Sequence, residues 1–291
     1  MATLNTVDGH PVLRFERRLP HPVERVWTAL TEPAELAHWF PATIEAELRV
    51  GAPIRFRFEN ADVEPGTGEI IEFEPPRIFA YRWGESTLRW ELVPEGAGCR
   101  LLFTHTLGGD PPWGDFRSAA RHAAGWDVCF DLLEAQLAGR PGGSTGAGWF
   151  ERFEPYVERF GLDTGEVREA PDGHVVRFER DLVTSTGDAW AALVDGADLA
   201  IGKPAPTTAA PVPAGPITAL EPERALAFEW LHEGVTAGEV RWELSGPEMF
   251  ARLVLTQTVP ARLAEQREPL LAAWSAHLKH FVAALHGVKR P

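Results

Sequence analysis

Cysteine is nearly missing: Cys99 and Cys129 are the only two in 291 residues, and they form no CxxC pair. That leaves neither a disulfide framework nor a thiolate zinc site, and both are expected to be buried, reduced thiols. Basic charge is also short, with 28 Lys and Arg against 42 Asp and Glu for a formal net charge of −14. Phosphate-backbone affinity comes from clustered cations that release counterions, so no nucleic-acid partner is expected. No run approaches the roughly 20 apolar residues of a spanning helix, so no membrane insertion is expected. Residues 1–20 lack the short apolar core of a secretory leader, and the expected address is the cytoplasm. P-loop, GxGxxG, HExxH and GxSxG motifs are all missing, and the ten histidines are scattered without paired ligand spacing. No cofactor, metal or catalytic residue is therefore assigned.

Apolar material is plentiful: 44% of the chain is hydrophobic, with 11 Trp and 16 Phe, enough for two packed cores. Trp126, Phe130, Leu133 and Leu137 recur at i, i+4, i+7 and i+11, which predicts a long amphipathic helix over 117–139 with Asp127, Asp131 and Glu134 off the apolar line. Trp274, Leu278, Phe281 and Leu285 repeat that spacing, and Gly139 and Gly287 stand after the two stripes as left-handed caps. The correspondence extends along the chain. Arg14-Phe15-Glu16-Arg17 returns as Arg177-Phe178-Glu179-Arg180, Trp27 as Trp190, Arg89-Trp90-Glu91-Leu92 as Arg241-Trp242-Glu243-Leu244, and Arg100-Leu101 as Arg252-Leu253. Two copies of one domain follow. The offset between copies is 163 residues at Trp27 and Trp190 but 147 at Trp83 and Trp230, so the second copy has lost 16 residues, about one hairpin.

Within the first copy, alternation predicts a strand over 12–19. Two short helices follow, carrying Val26, Trp27 and Leu30 and then Leu36 and Trp39. Strands are then expected over 43–50, 53–59, 68–74, 77–83, 87–93 and 100–107, parted by Gly51, Pro65-Gly66, Pro75-Pro76 and Gly96 with Gly98. That makes seven strands ahead of the long helix. Residues 140–148 are rich in Pro, Gly and Ser and read as a flexible connection, and 149–161 carries Phe150, Phe153, Val157 and Phe160 at helical spacing, a docking helix of the first domain. The charged stretch 163–173 is taken as the boundary, giving domains 1–162 and 163–291. In the second, residues 203–215 carry four prolines in place of edge strands. About five strands and an exposed edge are expected there, the edge covered by the Pro-rich segment, the 149–161 helix or another subunit.

Phe15-Glu16-Arg17, Pro22-Val23-Glu24-Arg25-Val26-Trp27, Leu36 to Phe40, Glu74-Pro75-Pro76-Arg77 leading into Tyr81-Arg82-Trp83, Arg89-Trp90-Glu91-Leu92 and the helix with Trp126 resemble the START-related helix-grip (SRPBCC) superfamily. Within it the chain is similar to the family of the C-terminal domain of the activator of the Hsp90 ATPase. The match covers nearly all of residues 10–139 and part of 174–287. The resemblance implies an α+β helix-grip fold, a curved antiparallel sheet wrapped around a long C-terminal helix, in two tandem copies with the second truncated. It also implies a cavity between sheet and helix, and three functions: binding apolar small molecules, cyclase or dehydratase action on polyketide-like compounds, or assisting a chaperone. Fold alone does not choose among them.

Outward-facing Arg55, Arg57, Arg82, Arg89 and Arg100 turn Ile54, Phe56, Phe58, Phe79, Tyr81, Trp83, Leu88, Trp90, Leu92, Leu101, Phe103 and His105 inward. His105 is the polar member, able to hydrogen-bond a ligand or move a proton, and the second copy has Gln257 there, which binds but does not titrate. Trp113 and His122 stand near the helix entry. The expected ligand-binding set is Phe56, Phe58, Tyr81, Trp83, Trp90, Phe103, His105, Trp113, His122, Trp126 and Phe130, holding an apolar or aromatic small molecule. The alternatives are a polyketide cyclase/dehydratase-like enzyme using His105 and Tyr81 and a chaperone-activator-like protein-binding module. A homodimer or chaperone partner stays open.

Overall fold

A computed structural model describes residues 1–58, 66–143, 148–247 and 249–285, apart from the Phe150 side chain. The expected features at Glu59, Pro65, residues 144–147 and Gly287 lie outside the described residues. The chain divides into two compact units, Met1–Phe160 and Gly161–Pro291.

Unit 1 opens with a hairpin that sequence reading passed over: β1 (Thr3–Val7) pairs antiparallel with β2 (His10–Leu19). Asp8 and Gly9, both at positive φ, make the tight turn, the residue pair that two-residue hairpin loops favour. Helices α1 (Val23–Thr31) and α2 (Pro33–Leu36) follow, then β3 (Thr43–Ala46), β4 (Pro53–Arg57), β5 (Gly66–Glu74), β6 (Ile78–Trp83), β7 (Ser86–Glu95) and β8 (Gly98–Thr106). The eight strands form one antiparallel sheet in the order β1-β2-β8-β7-β6-β5-β4-β3, one more than expected because of β1. A 3-10 turn at Phe116–Ser118, capped by the Asp115 carboxylate on the Ser118 amide, leads into α3 (Ala119–Leu137). Gly139, at φ 65, closes α3, and the Arg140 amide bonds back to the Ala135 carbonyl, the expected left-handed cap.

The predicted stripe Trp126, Phe130, Leu133 and Leu137 is buried. Phe103 packs between Trp90, with ring centroids 4.1 Å apart, and Trp126 at 4.6 Å. Helix α4 (Trp149–Arg159) packs on α3 within unit 1 and buries Phe153, Tyr156 and Val157. Its Tyr156 finds Asp127 on α3, so the carboxylate placed off the apolar line is buried.

Unit 2 repeats the plan. The charged stretch taken as the domain boundary contains β9 (Glu166–Ala170), paired with β10 (Gly173–Leu182) through a two-residue turn at Pro171–Asp172. Then come α5 (Thr186–Val194), β11 (Ala214–Glu221), β12 (Ala225–His232), β13 (Val235–Ser245), β14 (Ala251–Pro260) and α6 (Arg267–Leu285). The sheet has six strands in the order β11-β12-β13-β14-β10-β9, without counterparts of β3 and β4. The prolines of 203–215 do not leave the edge of β11 bare, because the Ile217 amide donates to the Lys203 carbonyl at 2.8 Å and the Ala205 amide to the Gly215 carbonyl at 3.2 Å. The segment then turns inward at Thr207–Ala209, where the Trp242 indole donates to the Ala209 carbonyl at 2.9 Å.

The units share one internal contact in detail. In unit 1 the Trp126 indole N–H reaches His105 Nδ1 at 2.9 Å, and in unit 2 the Trp274 indole N–H reaches Gln257 Oε1. His105 stands opposite Leu13 and Leu88, and Gln257 opposite Val176 and Val240, the same place in each sheet.

Candidate functional site

Twenty residues separate Thr106 from Trp126 but sixteen separate Thr258 from Trp274, and the longer connection in unit 1 folds back as a wall. Its glycines permit the tight course: a Cβ on Gly108 would stand 2.1 Å from the Glu85 carbonyl oxygen, and one on Gly114 2.2 Å from that of Gly109. Helix α3 holds the wall in place. Arg121 Nη2 donates to the Pro112 carbonyl at 2.6 Å with its guanidinium 4.7 Å from the Trp113 ring centre, and His122 Nε2 bonds the Trp113 carbonyl at 2.9 Å.

Between this wall, the sheet and α3 lies a cavity of about 770 Å³. Trp83, Leu88 and His105 line it from the sheet, and His122, Trp126 and Cys129 from the helix. Five of the expected contact residues, Trp83, His105, Trp113, His122 and Trp126, thus meet on one cavity. The other six are elsewhere. Phe56, Tyr81, Trp90, Phe103 and Phe130 face inward as alternation requires but fill the core, each at most 2% exposed. Half-buried Phe58 lies beyond the end of β4 against Trp83, ring centroids 5.9 Å apart. Tyr81, which a cyclase-type site would pair with His105, is off the cavity wall, 1% exposed, with its pKa raised by burial.

Sequence reading missed Arg121, Glu85, Asp110 and Cys129, which also line the cavity. Cys129 had a signal, since it follows His122 and Trp126 at i+7 and i+3 on the same helix face. Arg121 had none, because only the wall's backbone carbonyl explains a buried cation at that position.

Electrostatically the site is quiet. Burial, with His122 adding to it, holds the His105 pKa well below the ordinary imidazole value. Burial and then the Arg121 charge push His122 down to about 4, and burial pushes the Cys129 thiol up to about 12. Near neutral pH the floor therefore offers two uncharged imidazoles and a protonated thiol, a set suited to hydrogen bonding and apolar contact. Among the described residues, no group of three His, Cys, Asp or Glu is placed to hold a metal ion, and no helix is long and apolar enough to cross a membrane.

A stability effect follows from these imidazoles. Both are depressed in the folded chain, so their contribution is complete above about pH 6.5 and is lost as pH falls, when the unfolded chain takes up protons the folded one refuses. Between pH 7 and 5 His122 alone should lower stability by about 1–2 kcal/mol, allowing for screening at the cavity mouth. Urea titrations at the two pH values check this. A His122→Asn variant should lose less stability on acidification than the parent chain, and equal losses would contradict the assignment.

A sheet packed on one long helix, built twice, defines a tandem helix-grip protein. Residues 20–138 match the family described as Activator of Hsp90 ATPase homolog 1-like protein, so unit 1 carries a domain of that kind. Among solved structures, CalU16 from Micromonospora echinospora is 22% identical, with a TM-score of 0.43 over 55% of this chain and 96% of that one. EF2215 from Enterococcus faecalis is 18% identical, with a TM-score of 0.47 over 55% and 90%. DynU16, from the dynemicin biosynthetic locus, is 19% identical, with a TM-score of 0.42 over 94% and 98%. No curated protein matches the chain.

Proposed function

We propose that unit 1 binds an apolar or aromatic small molecule in the cavity between its sheet and α3. The observation that carries this is the cavity itself: about 770 Å³, walled by Trp83, Trp113, Trp126 and Leu88, with a few convergent polar groups. That is the volume and lining of a small-molecule site. A helix-grip domain of this family supports either hydrophobic-ligand binding or cyclase-like action. Binding is favoured here because His105 spends one nitrogen on Trp126 and Tyr81 is in the core. The second unit is proposed to be a filled copy. Counting from Trp126 and Trp274, Leu270 takes the place of His122 and His277 that of Cys129, and His277 bonds the Thr208 carbonyl of the inward Pro-rich segment at 3.0 Å.

Native mass spectrometry of the freshly purified full chain, compared with its mass after denaturation, should reveal a co-purified molecule. Titration with 9-fluorenone should quench tryptophan fluorescence saturably, since three indoles line the cavity. Cys129→Phe, which puts a ring where unit 2 already holds one, should abolish saturation while circular dichroism stays unchanged. Saturable binding that survives Cys129→Phe would place the ligand elsewhere.

A further inference from the structure

An indole N–H has no lone pair and can only donate, so His105 Nδ1, 2.9 Å from Trp126 Nε1, must accept. A neutral imidazole that accepts at Nδ1 carries its proton on Nε2. His105 lines the cavity, and within the described residues its hydrogen-bond partner is Trp126. What the ring presents to a ligand is therefore a donor. His122 stands beside it, ring centroids 5.1 Å apart, with Nε2 turned to the Trp113 carbonyl.

Unit 2 supplies an independent observation. Trp274 donates to Gln257 Oε1, which fixes the amide orientation, because the flipped amide would set N–H against N–H. Gln257 is fully buried, and its Nε2 has no partner among the described residues. Histidine and glutamine at this position share two properties: each accepts from the indole and each then has an N–H to give. A position serving packing alone would do better with Leu, since a buried donor without an acceptor loses its hydration and gains nothing in return. The orphaned amide in unit 2 is what an anchoring donor becomes when its cavity is filled.

We propose that the floor of the unit 1 cavity recognises a hydrogen-bond acceptor, a carbonyl or ionised hydroxyl oxygen on an aromatic ligand, through His105 Nε2–H, with Trp126 as the positioning residue that sets the tautomer. This rests on the unit 1 cavity being the ligand site. It selects acceptor-bearing ring systems over equally large rings that carry a donor at the same place.

Three probes on one ring frame test it with the full chain: 9-fluorenone with a carbonyl, fluorene with a methylene and carbazole with an N–H. Fluorenone is expected to bind about tenfold tighter than fluorene, one net hydrogen bond, and carbazole weakest of the three. His105→Leu should bring fluorenone down to the level of fluorene and leave fluorene unchanged, whereas His105→Gln, the arrangement of unit 2, should keep most of the preference. Trp126→Phe should shrink the ratio of fluorenone to carbazole affinity by releasing the tautomer. Long-range 15N–1H spectra of the parent chain should show His105 as the Nε2–H tautomer near neutral pH, whether or not a probe is present. An Nδ1–H tautomer, or a fluorenone-to-fluorene ratio that His105→Leu does not change, would overturn the anchor and leave the cavity site standing. If none of the three saturates in the parent chain, the cavity reading falls and the anchor falls with it.

Discussion

Replacing Asp127 by Ala is expected to destabilise unit 1 by about 3–5 kcal/mol and to loosen α4, although Asp127 touches no ligand surface. Its Oδ1 accepts from Arg17 Nη2 and its Oδ2 from the Tyr156 hydroxyl at 2.5 Å. That hydroxyl in turn accepts the Ala2 amide at 2.9 Å, and Arg159 Nε holds the Ala2 carbonyl at 2.9 Å. One carboxylate thus ties β2, α3, α4 and the start of the chain together. Without it, a largely buried guanidinium loses its nearer partner and a fully buried hydroxyl loses its acceptor. Glu134 stays 3.6 Å from Arg17 Nε but is 41% exposed, so it offsets only part of the loss. Asp127→Asn keeps an acceptor for Tyr156 and should cost less. Guanidinium titration of the full chain, with hydrogen exchange followed on α4 amides, measures both effects. A loss under about 1 kcal/mol with α4 protection intact would show that α4 is held by its apolar face alone.

Asp127 also shows where reading from sequence stopped. The stripe Trp126, Phe130, Leu133 and Leu137 was legible because burial against a sheet demands helical spacing. The 149–161 segment was legible as a docking helix for the same reason. Nothing in that spacing says a second helix will cover the opposite face of α3 and bring a tyrosine to a carboxylate. Strands β1 and β9 were missed because Thr-Leu-Asn-Thr-Val and Glu-Val-Arg-Glu-Ala have almost no apolar face, and their one signal is the two-residue turn after each, Asp8–Gly9 and Pro171–Asp172. At the site, alternation correctly turned Phe56, Tyr81, Trp90 and Phe103 inward but could not tell a filled interior from a gap. The gap is set by residues 107–118, whose glycine-dependent fold and hold on Arg121 and His122 are tertiary facts.

Trp274→Ala should destabilise unit 2 by about 3–5 kcal/mol, and Trp126→Ala should destabilise unit 1 by less, about 2–3 kcal/mol. Trp274 is fully buried in a continuous core, edge-on to Trp242 with centroids 5.9 Å apart, and truncation leaves a closed void there. It also strips Gln257 of its hydrogen bond to the indole, adding a second unpaired atom to an amide whose Nε2 has no partner among the described residues. Trp126 loses comparable ring contacts, but it borders the cavity, so the space it vacates joins an existing void that water can enter. The functional consequences run the other way. Trp126→Ala removes an aromatic wall and the group that orients His105, so 9-fluorenone affinity should fall at least tenfold. Trp274→Ala should leave that affinity unchanged. Exchange protection of β13 amides reports on unit 2 and that of β7 amides on unit 1, so each loss can be read in its own unit of the intact chain. A smaller loss for Trp274→Ala than for Trp126→Ala, or a fall in fluorenone affinity on Trp274→Ala, would mean that unit 2 still holds a working cavity and is not a filled copy.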